Sequence, residues 1–486
     1  MAGALADFVV DALRSITHDI ESIDGTRLAP REVMALADRV SRELADRGIA
    51  PAEPVHVRIG NRPGDIGALL GIWQAGAVAV PLHVAAAPAT IASLQSSTGA
   101  RLLVDGDGVE TVGRSAPAER PLLRDAALVM FTSGSTGQPK GVVVGHQRLA
   151  DKLAVLDRLL KLRSDDVVLV PLQLTFIFGL WVSLLALRAG ARLVLVQKFS
   201  VDDIARGVGG GASVLGGVPS MFRALAGASF SVPGLRMILT GGEVLPLPLA
   251  KAVQAASPRA AIYDLYGLTE TGSCDFVLPP HDQPAGLGTI GAPTENVGFR
   301  IEEGELQIRT PFGMLGYLDA PQLTADSFSD GYFKTGDLAR ERADGRVKLI
   351  GRGKDIISRG GIKIAPLEID NILCEHPDVA AALSAGVPDE RLGEVIHAVV
   401  VLRPLAVLGA DALRAWMLAR TERFKVPDVF YFRDALPAGA TGKADRRAVA
   451  RLASSCAERQ AAPPSTDDTP RRHVADCTRA SGWRQS

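Results

Sequence analysis

The chain has 486 residues, 47% hydrophobic and 22% charged, with a net charge of −1: a globular composition long enough for two or three domains. That near-neutral balance gives no electrostatic case for nucleic acid or an anionic membrane surface as the main partner. Four cysteines form no CxxC pair and no Cys/His cluster, which argues against structural zinc and a disulfide scaffold and fits a reducing, cytoplasmic compartment.

In chain order, residues 1–15 carry Asp7 and Asp11 but no basic run, and read as an amphipathic helix, not a signal peptide. Residues 55–60 are a short strand, 63–75 a helix opening with Pro63, and 77–82 a second strand. Residues 128–132 run into a loop dense in Ser, Thr and Gly, and Val142 to Val144 resume a strand. A strand over 165–172 precedes residues 176–187, which are apolar all round and read as a buried helix, too short to span a bilayer. Strands follow at 191–197, 213–218, 235–240 and 261–266, each of the first three leading into a helical stretch. Near-continuous apolar strands alternating with helices predict an α/β fold with doubly wound, mostly parallel sheet. Ligands in such folds sit at the carboxyl ends of the strands. From about 297 to 349 the period changes to antiparallel hairpins, with Asp344-Gly345 as one turn, and suggests a small barrel. Residues 354–455 read as a small α+β domain, with helices at 364–373 and 410–420 and a strand at 397–402. Residues 456–486 show no periodicity and read as disordered.

Several stretches carry chemistry. In residues 130–141, MFTSGSTGQPKG, the hydroxyls of Thr132, Ser133, Ser135 and Thr136, the glycines 134, 137 and 141, and Lys140 share one loop. Free N–H groups, hydroxyls and an ammonium suit a polyphosphate. It is not the usual P-loop, because Pro139 precedes Lys140. In YGLTETG (266–272), Thr269 can donate to a phosphoryl oxygen and Glu270 is a hard ligand for Mg2+, although an isolated loop Glu is more often a solvated carboxylate. Asp337, in YFKTGDLA, either bonds its own turn or accepts the hydroxyls of a ribose. Residues 351–366 read as a domain linker rich in Arg352, Lys354 and Asp355, and Lys443 sits in a Gly-flanked loop near the end of the small domain.

The order and spacing of FTSGSTGQPKG, YGLTETG, YFKTGDLA, GRGKDIISRGG and TGKADRR resemble the adenylate-forming superfamily over residues 25–450. The resemblance implies a large AMP-binding domain over 1–352, made of two doubly wound sheets and a small antiparallel barrel. It implies a hinge at 353–355 and a small mobile domain over 356–455. It also implies ATP-dependent activation of a small carboxylic acid to an acyl-adenylate, followed by transfer to the thiol of CoA or to a carrier protein's phosphopantetheine.

On that resemblance Thr132, Ser133, Gly134, Ser135, Thr136, Gly137 and Lys140 hold the β- and γ-phosphates. Gly241, Gly242 and Glu243 with Tyr266 sandwich the adenine, whose amino group Asp264 reads, and Gly267 also belongs to the ATP site. Asp337 and Arg352 hold the ribose. Thr269 touches the α-phosphate and Glu270 binds Mg2+. Lys354 is the hinge, Lys443 enters the site for adenylation, and Gly360 and Gly361 line the thiol tunnel. Phe176, Phe178, Gly217 and Gly267 form the acid pocket. The expected partners include no nucleic acid and no membrane, and the expected assembly is a monomer or homodimer.

Amino-acid-activating relatives resemble Phe-Asp-x-x-x-Trp where this chain has Phe176-Ile177-Phe178-Gly179-Leu180-Trp181. An ammonium buried against Ile177 has no counter-charge, so an α-amino acid is not expected. LGGVPSMF (215–222) resembles the pocket wall of aryl-CoA and medium acyl-CoA ligases, which implies an apolar aryl or short-to-medium acyl acid. Gln173 stands where many CoA ligases carry a His. Arg359, Lys363 and Arg391 are candidate cations for the CoA 3′-phosphate, and no carrier attachment motif is recognisable in the tail. Two other classes stay open on the sequence: a non-catalytic adenylate-binding regulator and an oxygen-dependent luciferase-like enzyme.

Overall fold

In a computed structural model, residues 3–113, 119–133, 139–228, 232–283, 285–437, 444–452 and 477–479 are described. A nine-stranded sheet runs in the order Ala292–Pro293, Phe276–Leu278, Ala261–Tyr266, Met237–Gly241, Val214–Gly217, Val167–Val170, Arg192–Leu195, Ile20–Ser22, Arg27–Leu28. Its six central members are parallel, and antiparallel strands close both edges. A seven-stranded sheet follows the same plan. Val78–His83 and Pro54–Ile59 lie parallel at its centre, and Ala126–Ser133 forms a hairpin with Pro139–Gly145.

The helices Ala4–Ser15, Pro30–Asp46, Pro63–Gln74, His146–Leu160 and Ile177–Arg188 share one apolar core with residues of both sheets. The last is the all-apolar segment of the sequence, and Leu180, Trp181, Val182 and Leu185 are buried in it. A helix packed on several sides has no solvent face to make polar, which is why its pattern lacks a stripe.

The expected antiparallel region is a five-stranded sheet in which Tyr332–Glu341 pairs with Glu305–Arg309 on one side and Val347–Arg352 on the other. Gly345 takes a φ of +77° in the hairpin turn, which a side chain would resist. The smaller lobe has its own core around Ile369, Leu373, Ile396, Val400 and Phe430. Its sheet centres on the Val379–Asp389 and Gly393–Leu402 pair. The first of these strands, VAAALSAGVPD in sequence, carries small residues that gave no strand signal. Within the 456–486 stretch, expected to be disordered, Cys477–Arg479 forms a strand antiparallel to Val429–Phe432. No helix among the described residues is long and apolar enough to cross a membrane.

Candidate active site

Three parallel strands of the large sheet end side by side: Val214–Gly217, Met237–Gly241 and Ala261–Tyr266. Asp264 and Tyr266, two residues apart, share one face of the last. Burial pushes the Asp264 carboxyl up to about 7, against the pull of the Leu265 N–H. Its cross-strand neighbour Thr240 is buried, with no hydrogen-bond partner for its hydroxyl among the described residues. Gly241 has no room for a side chain: a Cβ there would lie 2.5 Å from the Leu265 carbonyl oxygen. Gly242 takes a φ of +82°, and Glu243 pairs with Arg223 at 3.4 Å.

The antiparallel sheet delivers Asp337 to the end of the Ala261–Tyr266 strand. Tyr266 Oη donates to Asp337 Oδ2 at 2.6 Å, and Arg352 Nε, on the neighbouring strand, lies 2.8 Å from Oδ1. Burial and the Asp337 charge together raise the Tyr266 phenol well above its ordinary pKa, so it stays a donor. Both of these partners of the carboxylate lie outside its own turn, where the Asp337 backbone N–H donates to Thr335 Oγ1 at 3.0 Å. Each oxygen with one donor keeps acceptor capacity for a diol.

After Tyr266 the chain makes a short 3-10 turn, Thr269–Thr271. Glu270 Oε1 accepts from Tyr317 Oη at 3.3 Å, and the Lys140 ammonium lies 5.2 Å from the centre of the same ring. Tyr317 thus stands between two expected site residues. Sequence reasoning missed it, because one Tyr in a two-residue strand looks like any packed aromatic. Among the described residues no cluster of three or more His, Cys, Asp or Glu forms a metal cage. A half-buried carboxylate with one long hydrogen bond fits Mg2+, which takes one or two protein oxygens and completes its shell with water and phosphate.

Thr132 and Lys140 are cross-strand partners at the mouth of the hairpin. Gly134, Ser135, Thr136 and Gly137 lie outside the described residues, as do the Ser133 side chain and Lys443. Lys354 sits in the 3-10 turn Gly353–Asp355, where burial and then the Arg352 charge lower its pKa. Gly360 and Gly361 form an exposed hairpin turn with φ of +56° and +82°.

The residues expected in the acid pocket lie in different surroundings. Gly216 faces the central helix layer, with Leu172 Cδ1 3.2 Å and Val182 Cγ1 3.7 Å from where its Cβ would be. Gly217 faces the opposite way, and its missing side chain is replaced by the Phe222 ring at 3.0 Å. Strand alternation turns Gly216 toward the Ile177–Arg188 helix and Gly217 away from it, and both positions are closely packed. Phe176, at the start of that helix, is 41% exposed, whereas Phe178 packs on Trp181 with centroids 5.2 Å apart. Trp181 is core, and its indole N–H donates to Ser273 Oγ at 3.3 Å. Gly267 serves the backbone, since a Cβ there would meet the Cys274 nitrogen at 2.3 Å. Gln173 donates its amide to the Gln197 carbonyl at 2.8 Å. Arg359 is not a free cation: it bonds Asp428 at 2.7 Å and the Phe424 carbonyl at 3.0 Å, leaving Lys363 and Arg391 exposed.

Residues 14–120 and 106–318 match the AMP-binding enzyme family, and residues 368–443 match the AMP-binding enzyme C-terminal domain. A feruloyl-CoA synthase of Amycolatopsis sp is 31% identical over 456 residues, covering 86% of this chain and 92% of that protein. A 2-succinylbenzoate–CoA ligase of Bacillus licheniformis is 34% identical over 336 residues, covering 66% of this chain and 69% of its own. The o-succinylbenzoate CoA synthetase of Bacillus subtilis, solved with its acyl-adenylate intermediate, superposes with a TM-score of 0.78 at 26% identity, over 90% of this chain and 97% of that one. ATP-bound MatB from Rhodopseudomonas palustris shares the fold, with a TM-score of 0.82 at 24% identity over 94% of this chain and 100% of that one. With both domains matched and the Tyr266–Asp337–Arg352 cluster in place, the chain belongs to the AMP-binding enzymes, in the CoA ligase branch of the adenylate-forming superfamily.

Proposed function

We propose that this chain activates an apolar aryl or short-to-medium-chain carboxylic acid with ATP, releases pyrophosphate, and transfers the acyl group to CoA. The observation that carries the reading is the Tyr266–Asp337–Arg352 cluster, one turn of chain before Thr269 and Glu270. On this reading Asp337 binds the diol, Thr269 is the phosphate donor and Glu270 is the metal-binding carboxylate. In the proposed reaction the acid's carboxylate attacks the α-phosphorus in line and negative charge builds on the equatorial oxygens. Asp337 and Arg352 orient the ribose, Thr269 donates to the α-phosphate, and Lys443 brings an ammonium to the developing charge. Mg2+, held by Glu270, would supply further charge neutralisation between the phosphates. No protein nucleophile or base is required, because the carboxylate and the thiolate are themselves the nucleophiles.

The buried, uncharged Ile177 supports an uncharged acid tail. Two relatives, named for feruloyl and succinylbenzoate substrates, are consistent with an aryl acid. A panel of carboxylic acids assayed for AMP release, with and without CoA, tests the reading. Thioester formed only with a carrier protein would replace the acceptor, and release with no acid in the panel would overturn the proposal.

A further inference from the structure

The segment that carries Thr269 and Glu270 is followed by an unusual backbone. Gly272, Ser273 and Cys274 take φ of +89°, +66° and +50° in succession, two of them non-glycine. Left-handed non-glycine residues persist where the surroundings over-determine them. Here the Ser273 N–H bonds the Leu268 carbonyl at 2.8 Å and the Asp275 N–H bonds the Tyr266 carbonyl at 2.7 Å. Gly272 cannot carry a side chain, since its Cβ would lie 2.5 Å from the Phe312 carbonyl oxygen.

Beneath this run lies a buried cation. Lys152, 1% exposed on the His146–Leu160 helix, donates to the Cys274 carbonyl at 2.8 Å and to Thr294 Oγ1 at 3.3 Å. Its ammonium is 4.0 Å from Asp275, also buried, and 5.1 Å from the Phe312 ring. One turn earlier, Arg148 donates to the Gly313 and Met314 carbonyls at 2.8 and 2.6 Å, and the Met314 N–H in turn bonds the Glu270 carbonyl at 2.8 Å. A single helix, entered directly from the Lys140 hairpin, therefore braces both flanks of Glu270.

We propose that Lys152 is a positioning residue for the nucleotide and its metal: its ammonium pins the Cys274 carbonyl and so keeps the left-handed run that aims Thr269 and Glu270. The burial of a lysine makes sense on these terms. Two of its three donors find oxygens, with a carboxylate at 4.0 Å and an aromatic face close by, and an apolar residue would pack but could not hold a carbonyl in that orientation.

The inference rests on the reading of Glu270 and Thr269 given above, and the test separates the two. Calorimetric Kd for ATP with Mg2+, measured without acid, and half-saturating Mg2+ in pyrophosphate exchange are compared with the unfolding temperature. Lys152→Met should weaken ATP–Mg2+ binding and raise half-saturating Mg2+ by about tenfold, the scale of one lost charge-assisted hydrogen bond. The KM for the acid should stay within about twofold. Where removal of Lys152 leaves Asp275 unpaired and the fold fails, Lys152→Met/Asp275→Asn removes both charges and carries the same expectation. Ser273→Gly added to either variant relaxes the left-handed strain and should recover part of the lost affinity. A lower unfolding temperature with unchanged ATP and Mg2+ affinity would overturn the positioning role. Glu270→Gln is the control. If it leaves the Mg2+ requirement unchanged, the metal assignment falls and Lys152 falls with it; if it shifts the requirement while Lys152→Met does not, only the Lys152 proposal is lost.

Discussion

Tyr266 and Asp337, 71 residues apart in sequence, are joined by a 2.6 Å hydrogen bond between phenol and carboxylate. The two belong to different sheets, so the bond ties the parallel body to the antiparallel module at the point where a ribose is expected. Tyr266→Phe removes this charge-assisted bond and leaves Arg352 alone on Asp337. The expected result is a loss of about tenfold or more in kcat/KM for ATP, on the scale of a hydrogen bond to a charged group, with the acid KM little changed. Pyrophosphate exchange at varied ATP checks it.

Asp264 is held up to about 7 by burial. An acid whose folded pKa is raised costs stability once the unfolded form ionises. The cost begins near the ordinary carboxylate value of 3.8, grows as pH rises, and is complete above about 7. Asp264→Asn should therefore be more stable than the parent at pH 8 and about equal near pH 3. AMP affinity should behave oppositely, tightening in the parent as pH rises through about 7, because the ionised carboxylate is the better acceptor for an adenine amino group. A flat affinity profile in the parent would remove Asp264 from the adenine site.

Tyr317 touches both Glu270 and Lys140. Tyr317→Phe keeps the ring under the ammonium and deletes only the hydroxyl. A rise of about threefold to tenfold in half-saturating Mg2+ is expected, since the lost bond at 3.3 Å is long and partly solvated. Tyr317→Leu should add a loss in ATP affinity by removing the cation–ring contact.

Lys443→Ala should lower adenylation by about two to three orders of magnitude, the cost of one donor aimed at developing charge. Thioester formation from supplied acyl-adenylate should be largely spared. Measuring each half-reaction separately decides it, and equal loss in both would refute the assigned role.

Gly216→Val points its side chain at Leu172 and Val182 on the helix side, where a Cβ already lies 3.2 Å from Leu172 Cδ1, whereas Gly217→Ala meets the Phe222 ring at 3.0 Å. The first should exclude bulky aryl acids and leave acetate-sized acids less affected. The second should change stability more than selectivity. Ratios of kcat/KM across the acid panel distinguish them.

The sequence by itself determined much of the element order and the chemistry-bearing loops. Apolar strands alternate with helices because each strand of the parallel sheets is covered on both faces. Asp344-Gly345 and the Ser/Thr/Gly loop declare themselves through backbone conformations that few residues permit. These signals are local, and a chain read residue by residue carries them. Packing decided the rest. Nothing near Lys152 says that its ammonium will meet the Cys274 carbonyl 122 residues later, or that Arg359 is already spent on Asp428. Which of Gly216 and Gly217 turns toward the Ile177–Arg188 helix depends on which face of the strand meets the helix layer, and a one-residue change of register reverses it. Partners across sheets are set by how buried surfaces interlock, and that information is spread over the whole core.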